Sequence, residues 1–149
     1  MSCVPSTTFN LFDSIQNHVL DLANSVNPII GQTLNANPTL NQQWSLAPVN
    51  GGIFVLANGV SQEVGHTVVM SYDTTAGTSP QFMQALAATT TSIAFDVICV
   101  TSESAFLFNP SNGLALTAWP AQAGSTISPV TFEALTENDN QLWRFQLLD

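Results

Sequence analysis

The tetrapeptide Asn41-Gln42-Gln43-Trp44 returns almost unchanged as Asn140-Gln141-Leu142-Trp143, nearly a hundred positions later in a chain of 149 residues. A phrase used twice at that distance constrains the fold more than any bulk property, because it marks a structural unit that is built again. The distance leaves room for a third copy halfway, near residue 93. The match by residue type lies about ten residues earlier, at Gln81-Phe82-Met83, where Gln again stands two before a large apolar side chain. Gln84-Ala85-Leu86 follows it as Ser45-Leu46-Ala47 follows Trp44. Upstream spacing agrees: Ile30 lies 14 before Trp44, Val69 lies 14 before Met83 and Val130 lies 13 before Trp143. The layout predicts pseudo-threefold architecture in a single domain over 1–149, with units of approximately 1–48, 49–87 and 88–149.

The phrase has a physical reading. In a strand, residues i and i+2 point the same way. Trp fills the core while the Gln amide, with donors and an acceptor, ties down a neighbouring stretch of backbone. Elsewhere turn residues cut the chain every eight to twelve positions, as at Asn27-Pro28, Asn50-Gly51-Gly52, Asn58-Gly59 and Asn109 to Gly113. Between the cuts lie short runs rich in strand formers, among them 9–12, 18–22, 44–49, 53–57, 67–72, 92–100, 105–108, 113–119, 130–135 and 143–148. The stretch 12–26 shows some helical periodicity, but its alternation and the surrounding turns favour strand. Many short strands at regular spacing predict an all-β barrel or sandwich.

Composition narrows the function. Charged residues make up only 7% of the chain, Arg144 is the sole basic residue, and the formal net charge is −9. Nucleic acid is excluded, since phosphate binding needs a patch of Lys and Arg. Anionic membranes are excluded for the same reason. No apolar run is long enough to span a membrane, and the first ten residues lack the basic and apolar regions of a signal peptide. Two cysteines, Cys3 and Cys99, read as free thiols in a reduced, cytoplasmic setting, although nothing in the sequence forbids their pairing.

The Gln-x-Trp repeats in a short all-β chain resemble the ricin-B-type lectins, which are β-trefoils. Stretches such as Asn27 to Asn35 and Gly113 to Thr117, each followed by the repeated phrase, look most like the small cytoplasmic lectins of mushrooms. The lectin-like light subunit that accompanies mushroom tyrosinase belongs to the same structural group. The resemblance implies a glycan partner, bound at a galactose-type site. That site takes Asp from the second strand of a unit, Asn from just before the Gln of the phrase, and a stacking residue between them. On this sequence the first unit offers Asp21 and Asn41, with Gln32 near the stacking position. Gln32 is not aromatic, so mannose joins galactose and N-acetylgalactosamine among the expected sugars. Gly31 offers a place for a ligand to approach backbone closely.

In the third unit Thr117 stands where Asp21 stands in the first, Asn140 is retained, and Trp119 or Phe132 offers an aromatic face. In the second, Val60 has the corresponding spacing and Pro80 replaces the Asn. The rival reading is a lectin-fold, non-catalytic subunit that binds a protein such as a tyrosinase-like enzyme. It predicts an exposed apolar patch, with Ile53, Phe54, Phe108 and Trp119 as candidates. With a single sugar site, cross-linking requires a homodimer. Enzyme activity is not expected. No G-x-S-x-G, H-E-x-x-H, P-loop or dinucleotide fingerprint occurs, so no cofactor is implied, and two His with two Cys lack metal-site spacing. His66 reads as a strand start. His18 reads as a hairpin residue, nearer to ligand contact than to chemistry.

Overall fold

The computed structural model describes residues 2–22, 28–72, 83–89 and 93–148. In chain order its strands are β1 (Phe9–Asp13), β2 (Val19–Leu22), β3 (Ile29–Gln32), β4 (Ser45–Val49), β5 (Gly52–Leu56), β6 (Val69–Ser71), β7 (Met83–Gln84), β8 (Leu86–Ala88), β9 (Asp96–Cys99), β10 (Ser104–Asn109), β11 (Leu114–Ala118), β12 (Ile127–Ala134) and β13 (Trp143–Leu147). One helix, α1 (Asn58–Val64), lies between β5 and β6. Strands β11, β10, β13, β1, β2, β3 and β12 pair in that order, and the pairing of β12 with β11 closes them into a ring. A second sheet runs β4-β5-β6-β8. Closure removes most free strand edges, the usual difficulty of an all-β chain.

The threefold logic appears in the register. Phe9 bridges Trp44, Ile53 bridges Phe95, and Ala105 pairs with Trp143. Phe95 is therefore the middle counterpart of the two tryptophans, close to the halfway position and not at Met83. The backbone of Met83 pairs with Phe132, while Gln81, Phe82 and Pro80 lie outside the described residues. The middle unit has Ile93 in place of Gln and Phe95 in place of Trp, so both halves of the phrase are gone and Gln81 to Met83 was a decoy. The upstream match fails for the same reason. Val69 pairs with Leu56 as Val19 pairs with Phe12, so it belongs to the second strand of its unit, not the third. Phe95, just before β9, bridges Ile53 of β5, which links the end of the middle stretch to its first strand.

Trp44, Phe95 and Trp143 are essentially inaccessible and anchor one continuous core with Phe9, Leu20, Met70, Leu116 and Phe132. The Phe132 ring stacks between Tyr72, at 4.2 Å, and Phe95, at 5.6 Å. Each indole is also pinned: Trp44 Nε1 donates to the Leu20 carbonyl at 2.9 Å and Trp143 Nε1 to the Leu116 carbonyl at 3.0 Å. Emptying such a site costs about 3–5 kcal/mol.

Two expectations need correction. Residues 58–64 form a helix where Asn58-Gly59 reads as a turn. It is seven residues long and ends on Gly65 at φ 80°, the left-handed conformation glycine adopts freely at a helix end. The cysteines are not free thiols: Cys3 and Cys99 are joined in a disulfide, with Cα atoms 5.6 Å apart. The disulfide ties the N-terminal segment to the end of β9. Disulfides persist in oxidising environments, so the pairing removes the ground for a reduced compartment. Among the described residues no helix is long and apolar enough to cross a membrane.

Candidate functional site

Asp21 lies on β2, and Asn41 and Gln42 lie on the 3-10 turn Leu40–Gln42 that leads into Trp44. The fold brings them together. Asn41 Nδ2 donates to Asp21 Oδ1 at 2.8 Å, and Gln42 Nε2 donates to Asp21 Oδ2 at 2.9 Å. Gln42 also donates to the Thr33 carbonyl at 3.1 Å and accepts from the Asn35 backbone N–H at 3.0 Å. One amide thus holds β2, the end of β3 and the loop beyond it, as the Gln-x-Trp phrase predicts. Asp21 is 4% exposed, Gln42 1%, and Asn41 is half-buried.

The third unit repeats this arrangement without charge. Gln141 Nε2 donates to Thr117 Oγ1 at 3.2 Å and to the Ala134 carbonyl at 2.9 Å, and Gln141 Oε1 accepts from the Thr136 and Glu137 backbone N–H groups. A neutral hydroxyl therefore suffices for the structural task. In the second unit the register places Ser71, paired with Leu86 as Asp21 is with Ile30, at the same position. Val60 is instead a buried residue of α1. With Ile93 replacing the Gln, the buried Ser71 hydroxyl has no hydrogen-bond partner among the described residues.

Burial raises the Asp21 carboxyl above its ordinary 3.8, and the bonds from Gln42 and Asn41 oppose that shift without cancelling it. Each carboxylate oxygen accepts one side-chain bond and keeps a second lone pair. Gln32 is half-buried at the end of β3, with its Oε1 accepting from the Thr33 N–H at 2.9 Å. Gly31 does not leave room for a ligand. It pairs with Ser128 of β12, and a Cβ there would lie 2.3 Å from Ser128 Oγ, so the space belongs to the protein's own serine. His18 is also turned inward, 9% exposed with Nδ1 3.0 Å from Ser128 Oγ. Ser128 is 1% exposed, so its hydroxyl is engaged inside the barrel with His18. Phe132 offers no aromatic face, being fully buried. Ile53, Phe54, Phe108 and Trp119 are each only partly exposed.

Solved structures resemble the chain over nearly its whole length. A lactose complex of the ricin B-like lectin from Macrolepiota procera superposes with a TM-score of 0.73 at 16% identity, covering 99% of this chain and 100% of that one. The chain has the β-trefoil fold of the ricin-B-like lectins. The Rhizoctonia solani agglutinin matches this trefoil with a TM-score of 0.73 at 19% identity, over 96% of each chain. ThreeFoil, a designed threefold-symmetric protein, gives 0.76 at 19%, covering 95% of this chain and 99% of the design. No protein-family model and no curated protein sequence matches the trefoil. That agrees with a fold held by a few anchor residues per unit while the rest of the sequence drifts.

Proposed function

We propose that the chain is a carbohydrate-binding protein of the lectin type, with its site in the first unit around Asp21, Asn41 and Gln32. The observation that carries this reading is the comparison of Asp21 with Thr117. Both accept the clamping Gln amide, but Asp21 does so as a carboxyl whose burial disfavours its charge. A charge kept at a position where a hydroxyl does the structural work has another use. A carboxylate with spare lone pairs beside an Asn amide is a donor and acceptor pair for sugar hydroxyls. The galactose-type assignment draws on the trefoil resemblance, and the lactose complex of the Macrolepiota lectin supports it. Gly31 is not part of this site.

The test is a glycan array with the purified protein beside its Asp21→Thr variant. Asp21→Thr copies the third unit, so the variant is expected to fold and to lose its galactose-type signal. Retention of the signal removes Asp21 from the site. The pH dependence has a definite sign. The carboxyl titrates above 3.8 and accepts hydroxyl bonds best when ionised. Wild-type affinity is therefore expected to fall as pH drops through the window just above that value, and residual binding by Asp21→Thr to stay flat.

A further inference from the structure

A groove of about 490 Å³ is lined by residues between Asp13 and Asn17 and between Thr101 and Arg144, and not by Asp21. Its lining comes from the β1–β2 turn, the β9–β10 turn with the start of β10, and Leu142 and Arg144. Its frame is fixed by bonds within the walls. The Asp13 carboxylate accepts the backbone N–H groups of Ile15, Gln16, Asn17 and His18. Ser14 Oγ donates to the Leu142 carbonyl at 2.7 Å, and the Thr101 and Ser104 hydroxyls lie 2.7 Å apart. The Gln16 amide is used at both ends, on the Trp119 carbonyl and the Ala121 N–H.

Two charged groups of the groove remain. Arg144, the one cation among ten carboxylates, lies with its guanidinium 4.5 Å over the Phe12 ring and donates one bond to Gln146, at 2.8 Å. It makes no ion pair among the described residues. Glu103 lines the same groove, and its carboxylate meets no described donor. Opposite charges that share a groove without closing on each other leave a gap. The groove thus offers a planar fork of donors and a two-oxygen acceptor. An anion entering the gap meets Glu103, and a cation meets Arg144. A neutral ligand with adjacent hydroxyls satisfies both, because each hydroxyl donates and accepts. Ile15, 39% exposed, supplies apolar surface for a sugar's C–H face.

We propose that this groove is a second saccharide site, taking a neutral sugar residue through vicinal hydroxyls and separate from the Asp21 site. It rests on the lectin reading for the class of ligand alone. Two sites on one chain let a monomer bridge two glycans, which a single site does not. The test is an NMR titration of the full chain, following backbone amides, with galactose, N-acetylgalactosamine and mannose, and galacturonic acid as the charged comparison. In Asp21→Thr, the amides of 14–17 and 101–104 are expected to shift saturably with a neutral sugar, and more weakly with galacturonate. Glu103→Gln, on an exposed side chain, is expected to weaken that response roughly tenfold and to leave the shifts at Gln32 and Thr33 intact. Silence of the groove amides in both the wild type and Asp21→Thr, or tighter binding of galacturonate, overturns the groove site. If Gln32 and Thr33 stay silent while the groove responds, the Asp21 reading falls and this one stands. No response at either place sinks both.

Discussion

One position recurs in all three units with a different polar residue each time. Asp21, Ser71 and Thr117 occupy equivalent places on β2, β6 and β11, each beside the residue two before the buried aromatic anchor. Where that neighbour is Gln42 or Gln141, an amide bond closes. Where it is Ile93, the Ser71 hydroxyl is buried without a partner among the described residues. An unpaired buried hydroxyl costs about 1–3 kcal/mol. Ser71→Ala is therefore expected to leave stability unchanged or raise it by up to about 1 kcal/mol in urea denaturation; a clear loss means Ser71 has a partner after all. Asp21 and Asn41 were legible in the sequence as a pair because the Gln-x-Trp phrase fixes its own neighbours. The role of Gly31 was not, because the atom filling its space, Ser128 Oγ, comes from β12, almost a hundred residues away.

At the scale of elements, the strands follow from turn residues and alternation, and nearly all form where those signals put them. The helix α1 does not follow, because seven residues offer too few turns for a periodic signal. What holds it is contact. The Gly59 N–H donates to the Gln43 carbonyl at 3.3 Å, and a Cβ on Gly59 would stand 2.1 Å from the Leu40 carbonyl oxygen. Both Leu40 and Gln43 flank the clamp residue Gln42, so the helix braces the turn that presents Asn41. Gly59→Ala forces backbone to move and is expected to cost about 1–3 kcal/mol, read as a lowered Tm. Because the strain falls on the Asn41 turn, sugar affinity is expected to drop as well, while Gly124→Ala, strained only by its own positive φ and far along the chain from that turn, leaves affinity unchanged.

At the scale of the molecule, the disulfide and the barrel set the boundary conditions. Cys3 and Cys99 close a loop of chain with a sequence separation of 96 and hold the N-terminal segment against the end of the middle unit. Linking two cysteines so far apart restricts the unfolded chain, and loss of such a link typically costs about 2–5 kcal/mol. The Cys3→Ser, Cys99→Ser double variant is expected to unfold at correspondingly lower urea, and reduction of the wild type to produce the same shift. Equal midpoints for all three would show that the bond adds nothing.

The sequence by itself determined the trefoil and the grouping of Asp21 with Asn41 and Gln42. The reason is locality: a Trp that buries itself and a Gln that clamps its own unit act over some 25 residues, and the repeated phrase is the whole instruction. Tertiary structure alone decided that Phe95, and not Met83, completes the threefold set, since one large apolar residue substitutes for another without trace in a pattern. It also decided the pairing of the cysteines and the groove that Arg144 and Glu103 both line. Those features are assembled from segments far apart in the chain, and no spacing along a sequence encodes a distance that only the closed barrel creates.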